Sequence, residues 1–365
     1  MSRVRRRHIV PMVLHHRHLR DSLTVARPIA LRNSVLAGLQ AALTVALVLP
    51  FVHLSPWSAL IGYAGLGALT ALFGRFAETG KRTRIVVMAG LCQTASVGIV
   101  SVAAWLGATP SMLMILLAFL GAGFFLIGAL GRFGPPGALI FMFAGTAAMR
   151  PPHSLDDLLT RIAMTAAAAV VAVVLCALTE SFRFKGHAER PLPQEPLRTL
   201  KELMPAAMRI CVGSAVAGFV AMAMGMEHAG WAALGATAVL QGPFLHLSIH
   251  RALQRVAGTI TGSLAVWLIL QGAPGTWEVI ALIVLLQIAT EVVIGFNYAF
   301  GQMFVTPMAL LMTYMAASGT AGPDIASERV IDTLIGALVG IVVAVILSTQ
   351  NDRMHLHQRH TSVGR

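Results

Sequence analysis

The chain has 365 residues, 56% of them hydrophobic and only 12% charged, with a mean hydropathy of +0.76. A soluble domain carries about 25% charged residues, so a water-facing globular fold is excluded and the chain reads as an all-α integral membrane protein. A spanning helix takes roughly 20 apolar residues, so about twelve of them leave no room for a soluble catalytic domain. The 27 Lys and Arg against 15 Asp and Glu give a net charge of +12. These basic residues sit in short blocks between apolar runs, which points to lipid headgroups and away from nucleic acid.

Residues 1–33 read as a basic cytoplasmic tail. The apolar run Ile9–Leu14 is broken by Pro11 and followed by His15, His16 and Arg17, so it lacks the core of a signal peptide. Apolar runs bounded by charge, Gly or Pro then predict spans near 35–53, 57–74, 85–106, 111–131, 135–149 and 158–179, forming a first six-helix unit over 34–180. Residues 181–204, with Pro191, Pro193 and Pro196 among charges of both signs, predict a cytoplasmic linker. A second set near 205–226, 229–247, 256–271, 276–294, 297–318 and 330–348 fills 205–349, and 350–365 form a second cytoplasmic tail. Runs of this length without strand-like alternation satisfy their backbone in lipid as helices.

Charge sets the orientation. If both termini lie in the cytoplasm, every one of the 27 Lys and Arg except Arg150, Arg161 and Arg329 falls on the cytoplasmic side. That asymmetry predicts a multi-pass protein of a bacterial inner membrane. The two sets of six also resemble each other. Trp57 answers Trp231, Arg84 answers Arg255, Pro136 answers Pro307, and Val170–Leu175 answers Val342–Leu347, all at nearly one offset. Six spans per unit make the repeats parallel, with a pathway expected near the midplane where the halves meet. Cys92, Cys176 and Cys211 lie in apolar runs with no C-x-x-C spacing, so neither a disulfide framework nor a metal site is expected. Most His residues fall in tails and loops and read as part of the basic surface layer.

The second half carries a more specific pattern. Trp231 is followed by Leu240-Gln-Gly-Pro243, then by Arg251 and Arg255 running into Gly258-Thr259 and Gly262. Asn297-Tyr298-Ala299, Thr306-Pro307, and Arg329 with Thr333, Gly336 and Gly340 complete it. The pattern resembles the fusaric acid resistance-like family, which includes bacterial aromatic acid exporters. The resemblance covers about 110 residues well, and the first half echoes it through Trp57, Glu78, Arg84 and Pro136. It implies export of aromatic carboxylic acids and, by resemblance alone, a periplasmic adaptor protein. Many members of that family look like they carry large cytoplasmic domains after their helices, where the expectation here is only the short linker and a tail of about 16 residues.

The polar residues inside predicted spans are the candidate site. No G-x-x-x-x-G-K-[ST] sequence occurs, so uphill transport would draw on an ion gradient, and no cofactor is implied. Glu291, four residues after Gln287 on one helix face, is a candidate proton site; the alternative places it in the headgroups. Asp332, near Glu328 and Arg329, is a second proton candidate or part of an outer-surface ion pair, as are Asp157 and Arg161. Arg255 and Arg209 could draw an organic anion to the cytoplasmic mouth, with Thr259 one turn beyond Arg255. Gln241, Pro243, Thr306 and Pro307 mark proline-interrupted helices that line a path or merely kink. Asn297 and Tyr298 open the eleventh helix as pathway or interfacial residues. Gly258 with Gly262, and Gly336 with Gly340, predict close helix contacts.

The sequence therefore reads as an inner-membrane secondary transporter exporting small organic anions on the proton gradient. A passive anion channel and a non-transporting membrane scaffold are the alternatives. An enzyme is not expected, because no nucleophile and base, paired carboxylates or metal-ligand set converges. The expected partners are the bilayer and a small organic anion, with a homodimer left open.

Overall fold

The structure, a computed structural model, describes residues 25, 31–78, 80–184, 198–242, 245–316, 322 and 324–349. Most of the proposed N-terminal tail, the C-terminal tail and most of the linker lie outside the described residues, as does Pro243, while residues 31–33 of the expected tail already belong to the first helix. Among the described residues the regular structure is helical throughout, with no strand. In chain order the helices are α1 Leu31–His53, α2 Ile61–Ala68, α3 Arg82–Trp105, α4 Pro110–Leu130, α5 Ala138–Ala147 and α6 Leu155–Leu178. They continue with α7 Leu200–Ala223, α8 Gly230–Leu240, α9 Leu245–Gln271, α10 Thr276–Val293, α11 Tyr298–Ala316 and α12 Asp324–Ile346.

Nine of the described helices are long and apolar enough to cross a membrane, so the chain is a multi-pass helical membrane protein. The expectation of twelve like spans needs correction at α2, α5 and α8. The apolar stretch Ser58–Leu72 holds α2 between two 3-10 turns, and α5 and α8 have 10 and 11 residues. Local chemistry explains the shortening. Gly134-Pro135-Pro136-Gly137 precedes α5 and Pro151-Pro152 follows it, while Gln241-Gly242 ends α8. Broken backbone is tolerated at bilayer depth only where protein covers it, and every residue of α8 is buried.

Helix ends follow their sequence. Ser154 accepts the amide of Asp157 at 3.1 Å at the start of α6, and Thr109 accepts that of Met112 at 3.3 Å with Pro110 at the first helical position of α4. Glu202 and Glu278 reach back to the amides of Thr199 and Gly275, at 2.8 and 2.9 Å. Each satisfies a donor that the first turn leaves free. One boundary differs from expectation. The ninth helix begins at Leu245, so Arg251 and Arg255 lie inside it and not in a preceding loop.

Between helices in lipid, close approach and packing replace the hydrophobic effect as the driving force. Gly258 and Gly262 let α9 lie against α11. A Cβ built on Gly262 would meet Met303 O, Pro307 Cδ and Thr306 Cβ at 2.9 Å each. Gly336 and Gly340 bring α12 onto α8 in the same way. In the first half Phe73, Phe124, Phe133 and Phe141 form an aromatic cluster, with Phe73 and Phe141 stacked at 5.0 Å.

Three of the contacts in the first half have a counterpart six helices later. α3 packs on α6 as α9 packs on α12, α2 on α6 as α8 on α12, and α3 on α5 as α9 on α11. Across the halves, α4 packs on α7 and α10 on α1, two contacts that exchange under the same shift. One detail of the sequence pairing changes. Arg84 is exposed, and Arg82, two residues earlier and so on the other helix face, is the buried arginine at the start of α3.

Candidate functional site

A cavity of about 1040 Å³ opens between the halves at one end of the bundle. Its walls come from the start of α2, α4 and α6, the end of α5, the turn from α7 to α8, and the end of α11. The lining mixes aromatic and sulfur-bearing side chains, including Tyr63, Phe143, Trp231, Met149, Met226 and Met312, with Arg150, His153, Asp157, Arg161, Glu227 and His228.

Two polar groups organise this mouth. Arg161 grips Asp157 through two parallel bonds of 2.9 and 2.8 Å and donates to the Arg150 carbonyl at 2.8 Å. Its guanidinium also lies 5.5 Å from the centre of the Tyr63 ring. On the facing side, Glu328 accepts the His228 backbone amide at 2.7 Å and contacts its Nδ1 at 2.7 Å. The His228 ring stacks on Trp231 with centroids 4.3 Å apart, and the Arg329 guanidinium lies 4.8 Å from the Trp231 ring centre. Glu227, His228 and Glu328 each bring a possible ligand atom within 4.8 Å of the others. His228 and Glu328 are already engaged with each other, so a metal would have to displace that contact.

At the opposite end, further contacts cross between the halves. Arg75, in the turn after α2, forms an ion pair of 2.6 Å with Glu291 of α10, both buried. A Cβ on Gly38 of α1 would lie 2.7 Å from the Glu291 Cβ, so only glycine admits the pair here. The Gln241 side-chain oxygen, at the end of α8, accepts the Ala138 amide of α5 at 3.2 Å. Neither Glu291 nor Arg75 is a solvated charge.

At the same end Arg82 donates to Gln40 at 2.5 Å and lies 3.6 Å from Glu180, while Gln40 donates to Thr179 at 2.5 Å. In the exposed turn there, Lys81 donates to Glu78 at 2.5 Å. That hydrogen bond, more than any other contact, holds the Glu78 carboxyl below the usual glutamate range.

The remaining residues singled out from sequence fall on the α9–α11 seam or beside it. Arg255 donates to the Tyr298 hydroxyl at 3.2 Å, and the Thr306 and Thr259 hydroxyls meet at 3.5 Å. Asn297 caps α11 by accepting the Ala299 amide at 2.8 Å. The Met303 carbonyl that Pro307 leaves without its helical donor lies against Gly262, in a packed seam and not in a cavity. Arg209 donates to the Pro205 carbonyl at 3.3 Å within α7. Asp332 is fully buried in α12.

None of these residues lines the large cavity. Sequence reasoning missed Tyr63, Arg150, His153 and His228 as a group, yet one signal pointed there. The three basic residues that broke the charge rule, Arg150, Arg161 and Arg329, all stand at or behind its wall.

The Gly-paired seams and the buried Trp231 are the features on which the sequence pattern of the second half rests, and they span α7 to α12. Residues 216–343 match the family model described as fusaric acid resistance protein-like. The resemblance read from the second half is borne out over this fusaric acid resistance-like segment. A curated relative, the uncharacterized membrane protein YvaC of Bacillus subtilis (strain 168), is 32% identical over 131 residues. That match covers 36% of this chain and 21% of the relative, so the chain spans about a fifth of the length of the curated protein it matches. No solved structure matches the chain.

Proposed function

We propose that this chain is a secondary transporter of a bacterial inner membrane that exports small organic anions, aromatic carboxylic acids foremost, on the proton gradient. The observation that carries this reading is the cavity between the halves at one end, with Arg75–Glu291 and Gln241–Ala138 joining the halves at the other. A carrier needs such a site, exposed to one side at a time, whereas a channel needs a path through. The ring faces of Tyr63, Phe143 and Trp231 beside Arg150 and Arg161 suit an aromatic carboxylate.

The mirrored packing supports two parallel six-helix repeats with twelve crossings, three of them made by short helices covered by protein. The charge asymmetry supports cytoplasmic termini and makes the cavity the periplasmic mouth. In this cycle Glu291 carries the coupling proton. Neutralised, it releases Arg75 and lets α10 move from α1, so the basic end opens as the periplasmic end shuts. Arg255, Tyr298, Asn297, Thr259 and Thr306 then line the cytoplasmic approach, Arg209 gathers anions to it, and Asp332 serves as the outer proton entry.

The test is reconstitution in proteoliposomes with radiolabelled benzoate. A pH gradient should drive accumulation in the parent, whereas Glu291→Gln should lose accumulation and retain benzoate-for-benzoate exchange. Downhill flux without gradient-driven accumulation in the parent would make the protein a channel, and no benzoate flux of any kind would remove the aromatic acid reading.

A further inference from the structure

The two halves differ in how their buried arginines are satisfied. In the first half each lies against an acid: Arg82 donates to Gln40 and lies 3.6 Å from Glu180, although its Nε has no hydrogen-bond partner among the described residues, and Arg161 has the Asp157 carboxylate and the Arg150 carbonyl. Their counterparts in the packing of the second half, Arg255 on α9 and Arg329 on α12, are buried to 4% and 3% exposure. Arg255 has only the Tyr298 hydroxyl, which leaves its Nε unpaired, and Arg329 has Nε and Nη1 without a hydrogen-bond partner among the described residues. The Arg329 guanidinium lies against the face of Trp231.

A buried guanidinium without an acceptor is costly, because water's hydrogen bonds have been removed and nothing replaces them. The adjacent acid, Glu328, has its two oxygens held by His228. The remaining acid, Asp332, is three residues along the same helix and 0% exposed, yet neither of its oxygens accepts a hydrogen bond among the described residues. Arg329 and Asp332 share one face of α12, Arg255 is hydrogen-bonded to Tyr298 at 3.2 Å, and Arg329 stands within electrostatic reach of all three. α9 and α12 pack directly on each other.

We propose that these residues form a second anion site, buried in the second half behind Trp231, where a substrate carboxylate bridges Arg255 and Arg329. A guanidinium hydrogen-bonds a carboxylate strongly, and Arg255 and Arg329 each keep at least one donor without a partner among the described residues. Trp231 lines the large cavity and also covers Arg329, so it separates the two sites and offers its ring to an aromatic substrate passing between them. Asp332 competes with the bound carboxylate for the same positive charge and weakens its retention, which lets the site release what it binds. The inference rests on the organic-anion reading above and assigns that substrate a stopping place.

The test is equilibrium binding of radiolabelled benzoate to the purified full-length chain in lipid nanodiscs. Arg329→Gln should weaken binding at least about tenfold, a change of one charge-assisted contact. Asp332→Asn should tighten it several-fold, the opposite of what structural damage would give, so it carries the test even if Arg329→Gln does not fold. Equal affinity in the parent and Asp332→Asn, or no benzoate binding to the parent at millimolar concentration, overturns the site. Benzoate transport that persists while binding ignores these substitutions would sink this site and leave the transport reading. The expected binding pattern without any flux would do the reverse.

Discussion

The Arg75–Glu291 pair gives the most direct test of how the halves are held together. At 2.6 Å its mutual attraction is about 6 kcal/mol at an effective dielectric of about 20. Most of that is offset by the several kcal/mol needed to remove each ion from water. The pair as a whole is therefore worth little against a well-packed apolar replacement, while either charge left alone is expensive. Glu291→Leu and Arg75→Met should each lower stability by about 3–5 kcal/mol, and the double substitution should recover most of the loss. The measurement is unfolding by SDS titration in mixed micelles, with all four proteins compared as a thermodynamic cycle. Gly38→Ala should fall between, because its new methyl group meets the Glu291 side chain. Single substitutions that each cost under about 1 kcal/mol, or that simply add in the double, would refute the claim that one buried pair locks α1 to α10.

Three further outcomes are expected. Gly262→Val should cost about 1–3 kcal/mol by overpacking against Met303, Thr306 and Pro307, seen as a lower thermal midpoint, whereas Gly275→Ala, with open space around it, should change little. Reporter fusions after residues 55, 109 and 228 should report the periplasm and those after 80, 190 and 355 the cytoplasm; disagreement between the fusions after 80 and 190 would end the six-crossing first half. Arg255→Ala should reduce benzoate flux with normal membrane expression, and Arg255→Lys should restore part of it, because an ammonium supplies charge without the planar fork; equal flux in all three would make Arg255 an anchor.

What the sequence disclosed was local. Apolar run lengths located the long helices, and the Gly258/Gly262 and Gly336/Gly340 spacings foretold the two seams, because both signals lie within one helix and its immediate face. What it hid depends on contacts distant along the chain. Nothing near Glu291 announces Arg75, more than two hundred residues earlier, so its burial in an ion pair could not be told from a place among headgroups. Arg82 and Arg84 look equivalent in a list, and only the helix face decides that one is buried. The cavity was invisible for the same reason, since its walls combine the ends of many helices, each unremarkable in its own segment. α8 reads as a span from composition, and its length is set by Gln241-Gly242, a signal that apolar counting overlooks.

The shortness of α8 also bears on how the protein is made. Eleven residues rise about 16 Å, roughly half the hydrocarbon thickness, so this segment cannot settle in the bilayer alone and must enter beside a neighbour. The preceding helix, α7, is available at once, but the glycine face that covers the other side of α8 belongs to α12, which begins only at Asp324. Until then a broken, fully apolar segment waits half-enclosed. Chains truncated before α12 should be held by insertion chaperones or degraded, although every residue of α8 has already been synthesised.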